Sequence, residues 1–241
     1  MGAVILAVIP LLFVAGKSVQ VPEEYLILLF KRPLYLRMMW NSLIITIPVL
    51  IGQLLLAPLA AYGFWQCRWK YKEILFYLYM IVMLMPLQLT LVPNYLVANW
   101  LGIQNSSLAI ILPAIGSPFL IFFFKQNAYS FPKDTLEAAR MDGLNEYQIF
   151  FKIFMPMMKS TYAAAGIFMF MASWNNYMWP LIALQSDTKF TLPLVVANLA
   201  SGFTPDYGMT MVGIVLSTLP TIIVFFTLQK SFVEGMTGSV K

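Results

Sequence analysis

ILFYLYMIVMLMPLQLTLVPNYLVANWLGIQNSSLAIILPAIGSPFLIFFF, residues 74–124, carries no charged side chain. A bilayer core is about 30 Å thick, and about 20 apolar helical residues cross it. The stretch is too long for one crossing and long enough for two. Its polar interruption runs from Pro93-Asn94 to Asn105-Ser106-Ser107. One span is therefore predicted over 74–92 and another over about 108–124, with a partly buried surface helix at 94–102 between them.

The rest of the chain has the same character. Of its 241 residues, 60% are hydrophobic and only 10% are charged, whereas soluble domains carry about 25% charged residues. Met38 to Cys67 is free of charge, and Asn41 and Ser42 are placed to cap a helix running to about Phe64. Pro48 and Pro58 lie inside it, which a helix bounded by other membrane helices tolerates because neighbours re-satisfy the freed carbonyls. Upstream, Lys17 to Arg37 reads as a loop with a short helix after Pro22. Met1 to Gly16 is apolar and lacks a basic leading region, so it reads as a first span rather than a cleaved signal. At ~1.5 Å per residue it reaches only ~24 Å. Either it is tilted or thinned against partners, or the chain lacks its natural N-terminus; the second reading is favoured.

Downstream, Ser160 to Ser186 and Gly208 to Gln229 are two more charge-free stretches, the latter holding Pro220. Asp187 to Tyr207 between them is expected to be an outer loop. The expected fold is an all-α membrane protein with six transmembrane helices, and residues 1–241 form a single transmembrane domain.

Absences narrow the chemistry. The chain has no His and a single Cys, Cys67, which removes His-based general bases, Cys/His metal clusters and an internal disulfide. Its net charge of +5 comes from residues flanking apolar segments, a membrane pattern and not a nucleic-acid footprint. Arg68, Lys70, Lys72, Lys125, Lys133, Arg140, Lys152, Lys159, Lys230 and Lys241 fall on one side of the six-span topology. Lys17, Lys31, Arg32, Arg37 and Lys189 fall on the other. The excess puts the first side, with both termini, in the cytoplasm.

That side carries the largest polar segment, about 125–159. Pro132 precedes Asp134, which is placed as an N-cap with Glu137 closing a capping box. Gly143 stops the helix, since a left-handed residue is cheapest without a Cβ. Asn145 is placed to cap a second helix through Ile153, before Pro156. Two short helices around a glycine corner make a rigid projection. Ala138 and Ala139 permit close approach, Glu137, Arg140 and Asp142 offer charge for register, and Leu136 with Met141 offers apolar contact. Such a loop docks a soluble partner, or it is an ordinary interfacial loop capping two spans. The pattern leaves both open.

The loop resembles one shared by permease subunits of binding-protein-dependent ABC importers: Glu-Ala-Ala, three residues, Gly, then about nine residues to an apolar-Pro pair. Here these are Glu137-Ala138-Ala139, Gly143 and Met155-Pro156. The carbohydrate-importer branch, of MalG type, is the nearest resemblance. It rests on Asn41-Ser42-Leu43, Ala60-Ala61-Tyr62, Pro93-Asn94-Tyr95, Leu101-Gly102, Asn105-Ser106, Phe131-Pro132, Trp174-Asn175 with Pro180, and Gly238-Ser239-Val240-Lys241. The match runs from about residue 9 to the end, departing in the abrupt N-terminus and a short first outer loop.

The resemblance implies a type I ABC permease fold and a set of roles. Glu137, Ala138, Ala139, Arg140, Asp142 and Gly143 would form a coupling helix seated in a cleft of a cytoplasmic ATP-binding cassette ATPase dimer. The tail Gly238, Ser239, Val240 and Lys241 would also contact that ATPase. The loop 187–207 would face an extracytoplasmic sugar-binding protein. Gln88, Asn94, Trp174, Asn175 and Tyr177 would line the pathway, with helix–helix hydrogen bonding and interface anchoring the alternative for each, as for Gln53. A second permease, expected to be a different chain, would complete the pathway in a bacterial or archaeal cytoplasmic membrane.

No G-x-x-x-x-G-K-[ST] occurs, so ATP and Mg belong on the partner, and the chain is expected to bind no cofactor and to be no enzyme. The spans lack the ionisable groups that proton- or ion-coupled carriers keep, which opposes secondary transport and suits a neutral, hydroxyl-rich cargo. A sugar, more specifically an oligosaccharide, is the expected cargo. A polyol, glycerol phosphate or peptide is the alternative. An intramembrane enzyme is opposed by the absence of His, Asp pairs and Ser–Lys arrangements in the spans.

Overall fold

From Pro33 to Gln66 the chain forms one helix, α1, and most of the remaining helices are placed against it. The computed structural model describes Gly16 and residues 33–67, 69–201 and 207–238. The expected first span at 1–16 lies outside the described residues except for Gly16. Among the described residues the structure is helical and contains no strand.

After α1 come α2 (Lys72–Met83), α3 (Leu87–Trp100), α4 (Ser107–Ile115) and α5 (Pro118–Ala128). Then follow α6 (Lys133–Met141), α7 (Glu146–Met157), α8 (Lys159–Trp174) and α9 (Met178–Ala183). A 3₁₀ turn at Asp187–Lys189 leads to α10 (Leu192–Ser201) and α11 (Tyr207–Gly238). Three segments are long and apolar enough to cross a membrane: Leu36–Gln66, Ser107–Ala128 and Thr210–Gln229. Two bent pairs, α2 with α3 and α7 with the segment Lys159–Ala183, raise this to five among the described residues if each is one span. Helix α1 packs against α4, α5, α8 and α10, and α8 against α11.

Several sequence expectations are corrected. Asn41 and Ser42 are not caps, because α1 begins at Pro33. They lie within the helix and reach sideways. The Asn41 amide donates to the carbonyls of Thr188 (2.9 Å) and Phe190 (3.1 Å). The Ser42 hydroxyl accepts the Leu192 N–H at 2.9 Å. The stretch 74–92 is not one helix: it breaks at Leu84–Pro86 and turns through 101°. Pro86 is the N-cap of α3, and a proline disfavours helix in the residue before it. Pro93, the expected break, lies inside α3. Helix α3 ends where Gly102 takes φ +67°, with Ile103 N–H on the Ala98 carbonyl and Gly102 N–H on Asn99. The expected outer loop 187–207 contains α10, whose Leu192 and Leu194 are fully buried. That segment is too short to read as a span and too apolar to stay in solvent.

A proline and a helix end in the Ser107–Ala128 segment show how the core is knitted. Proline has no N–H and strands the carbonyl four residues earlier. Pro113 strands Ala109, whose carbonyl accepts the Trp179 indole N–H at 3.0 Å. Helix α4 ends at Ile115 with Gly116 as its C-cap, which leaves the Ala114 carbonyl in its last turn without an intrahelical donor; that carbonyl accepts the Gln53 amide at 2.7 Å. Gln53, read from sequence as either pathway or packing, is thus a buried helix–helix link.

Trp179→Phe keeps a ring in the core but removes the donor to Ala109. Leaving a buried carbonyl without a partner costs about 1–3 kcal/mol. The expected outcome is an unfolding midpoint several degrees lower in detergent, read by intrinsic fluorescence on heating.

Candidate functional site

The segment 129–158 joins α5 to α8 at the end of the bundle where α1 also terminates, and its construction begins with the glycine corner. Gly143 has φ +81°. The Leu144 N–H bonds back to the Ala139 carbonyl at 3.1 Å and the Gly143 N–H to Arg140 at 3.0 Å, which is the Schellman arrangement. Leu144 packs on the same buried cluster that holds Ala139, so the corner is pinned by apolar contact as well.

The start of α6 differs from expectation. Pro132 itself is the N-cap, and no side chain caps the helix. Asp134 therefore sits in the first turn, where its charge favours the helix dipole without the hydrogen bond of a capping box. Asn145 caps α7 as expected: its Oδ1 accepts the Gln148 N–H at 2.9 Å, and Gln148 Oε1 accepts the Asn145 N–H at 3.0 Å. Helix α7 continues through Pro156 by widening into a π turn at Phe150–Phe154. A proline ring clashes with the carbonyl four residues before it in a regular α-helix, and the wider turn relieves this.

The faces of α6 are sharply divided. Leu136 and Ala139 are buried, whereas Glu137, Ala138 and Asp142 are exposed and Met141 is 88% exposed. Leu136 and Ala139 hence hold the loop to its own chain, and the outward ridge is Glu137, Ala138, Met141 and Asp142. Beneath it lies an aromatic cluster: the Tyr62 ring is 5.0 Å from Phe154 and 5.5 Å from Phe150, and Trp65 is 5.8 Å from Phe131.

Arg140 turns back toward α1. Its Nε donates to Glu146 Oε1 at 2.9 Å and its Nη2 to Gln66 Oε1 at 3.2 Å. The other Glu146 oxygen accepts the Tyr62 hydroxyl at 2.6 Å. The hydrogen bond that Arg140 donates to Glu146 raises the Arg140 pKa above its ordinary value. Sequence reading missed Tyr62, Gln66 and Glu146 as parts of this site. Tyr62 stood in the Ala-Ala-Tyr motif, but nothing in the sequence paired it with a carboxylate 84 positions away.

Lys125, expected at the edge of the polar loop, belongs to α5 and is 2% exposed. Its ammonium lies 3.2 Å from Glu73 Oε2 and 3.5 Å from the Phe76 ring centroid, tying α5 to α2 beside the loop.

The candidate pathway residues divide. Trp174 is buried, its ring stacked 5.6 Å from Phe170 and its indole N–H on the Ser217 carbonyl at 2.8 Å. Gln88 is exposed and Asn94 half-buried on α3. Asn175 is exposed and Tyr177 half-buried in the break between α8 and α9. Since α9 packs against α3, these four belong to neighbouring elements. Gly238 ends α11, and Ser239, Val240 and Lys241 lie outside the described residues.

A family model described as "Binding-protein-dependent transport system inner membrane component" matches residues 3–238. The chain belongs to this family. Within it, the lactose transport system permease protein LacG of Rhizobium radiobacter is 46% identical over 202 residues, covering 84% of this chain and 74% of that one. The arabinooligosaccharides transport system permease protein AraQ of Bacillus subtilis (strain 168) is 37% identical over 220 residues, covering 91% and 78%. The fold is that of a solved bacterial ABC transporter chain, from a system involved in import of the acidic polysaccharide alginate. That chain superposes with a TM-score of 0.83 at 21% identity, over 96% of this chain and 95% of its own.

An added Cβ at Gly143 would meet nothing within 4 Å, so substitution there acts through the backbone alone. Gly143→Ala is expected to strain the corner by about 1–2 kcal/mol, while Gly143→Asn, which visits the left-handed region more readily, is milder. Limited proteolysis in detergent should cleave residues 140–147 faster in the alanine variant than in the asparagine variant.

Proposed function

We propose that this chain is a membrane-spanning permease subunit of an ATP-driven sugar importer, with an oligosaccharide as cargo. The observation that carries the reading is the clamped, glycine-cornered loop with its outward ridge. That ridge is fixed to the bundle from behind yet open in front, the geometry of a part that receives a rigid-body push. Family membership and the names of the lactose and arabinooligosaccharide relatives support it.

In this reading Glu137, Ala138, Met141, Asp142 and Gly143 enter a cleft of an ATP-binding cassette ATPase dimer. That dimer binds ATP and Mg; this chain hydrolyses nothing. The small Ala138 allows close approach, Met141 supplies an adaptable apolar knob, and the two carboxylates set register. Arg140 and Ala139 act from behind. The tail from Gly238 to Lys241 adds a second ATPase contact. Closure of the ATPase dimer moves the loop, and the permease pair passes from inward- to outward-facing.

A second permease, a different chain, completes the pathway. Gln88, Asn94, Asn175 and Tyr177 face the cargo, since amide and phenol groups exchange hydrogen bonds with sugar hydroxyls. Trp174 serves the packing behind them. The segment 187–207, with α10, meets an extracytoplasmic sugar-binding protein. The loop and both termini are cytoplasmic, in keeping with the excess of Lys and Arg on that side.

Glu137→Lys reverses charge on the ridge without touching the buried face of α6. The ATPase is expected to co-purify with the unmodified chain from mild detergent and to be lost or strongly depleted with the variant. In nanodiscs, sugar-loaded binding protein should raise ATP turnover by the unmodified complex. Equal ATPase capture by Glu137→Lys would overturn the docking role of the ridge.

A further inference from the structure

We propose that Tyr62, Glu146, Arg140 and Gln66 form the joint that carries a displacement of the loop into α1, so that Arg140 is a positioning residue acting inside this chain. The inference rests on the importer reading above and names the route of its stroke.

The geometry supplies three reasons. First, the joint is bidirectional: Glu146 uses both carboxylate oxygens, one for Arg140 across the glycine corner and one for Tyr62 on α1. Arg140 also reaches Gln66 directly. Both limbs of the loop, α6 through Arg140 and α7 through Glu146, are therefore tied to the same last turn of α1. A push on either limb arrives at one place.

Second, the bonds resist shear. Van der Waals packing of the aromatic rings holds the loop against α1 but lets rings slide. A charge-assisted O–H···O⁻ bond and a guanidinium–carboxylate bond fix direction as well as distance. Tyr62 combines both kinds of contact, with its ring among Phe150 and Phe154 and its hydroxyl on Glu146.

Third, α1 is the helix best placed to distribute the motion. It packs against α4, α5, α8 and α10, and at its other end Asn41 and Ser42 are bonded to residues 188–192. One continuous helix thus joins the loop to the opposite end of the bundle. A loop anchored only to α5 and α8, its covalent neighbours, would have no such lever.

The test uses the complete complex, this chain with its ATPase and second permease, in proteoliposomes with sugar-loaded binding protein. Tyr62→Phe removes only the hydroxyl and keeps the ring. ATPase capture and binding-protein-stimulated ATP turnover are expected to persist, while sugar uptake per ATP hydrolysed falls about tenfold, as for loss of one charge-assisted hydrogen bond. Arg140→Glu should be similarly uncoupled, because it breaks the link across the corner to Glu146. A merely structural contact would lower capture, turnover and uptake together. Tyr62→Phe with the uptake-to-ATP ratio of the unmodified complex would overturn the proposal. So would loss of ATPase capture by Tyr62→Phe, which would place this network in the docking surface. Failure of the unmodified chain to capture any ATPase would instead sink the importer reading on which the joint depends.

Discussion

Hydrocarbon offers a backbone N–H or C=O nothing to bond to, and every irregularity in a membrane helix must be repaired from within the protein. This constraint organises the bundle. Its helices are rich in proline; in one spanning segment Pro113 strands the Ala109 carbonyl, and the helix end at Ile115 leaves the Ala114 carbonyl open. Trp179 repairs the first and Gln53 the second. These repairs come from different elements, α9 and α1, so the flaws in one helix become the links that hold three together. The polar side chains of the spans are thereby partly spoken for. Gln53, and likewise Trp174 on Ser217, serve the protein's own backbone before they can serve a cargo.

The two ends of the bundle meet the same constraint differently. At one end Asn105 sits at φ +54° and uses its backbone and its side chain alike. Its Oδ1 accepts the N–H groups of Gln185 and Ser186, its amide donates to the Ser186 hydroxyl, and its carbonyl accepts Lys189. Together with Asn41 and Ser42 this makes residues 103–106 and 185–192 a single hydrogen-bonded plate. At the other end the links are charged and aromatic: Lys125 between Glu73 and Phe76, and Arg140 and Tyr62 on Glu146. Charge is tolerated there because the loop is partly exposed.

The loop therefore has two distinct faces with separate duties. Leu136, Ala139, Ile149 and Phe154 are buried and hold it; Glu137, Ala138, Met141 and Asp142 are exposed. The recognised Glu-Ala-Ala motif straddles this division, since Glu137 and Ala138 point out while Ala139 points in. One short motif thus encodes both the exposed ridge and the anchor behind it.

The sequence by itself determined the class of protein and the positions of its punctuation. Charge-free stretches mark the spans because lipid excludes charge. Gly143 marks a corner because a left-handed residue is cheapest without a Cβ, and Asn145 marks a helix start because its side chain caps locally. These signals act over a few residues and survive in one dimension. Only the tertiary structure decided which proline breaks a helix: Pro86 does and Pro93 does not, although both sit in apolar surroundings of the same kind. It also decided that Asn41 and Ser42 bond across the bundle rather than cap α1, that residues 192–201 fold as a helix, and that Arg140 faces its own chain. Each of these depends on a partner far away in sequence, such as Leu192 for Ser42 or Tyr62 and Gln66 for the loop. No local pattern specifies a partner that only packing brings within hydrogen-bond reach.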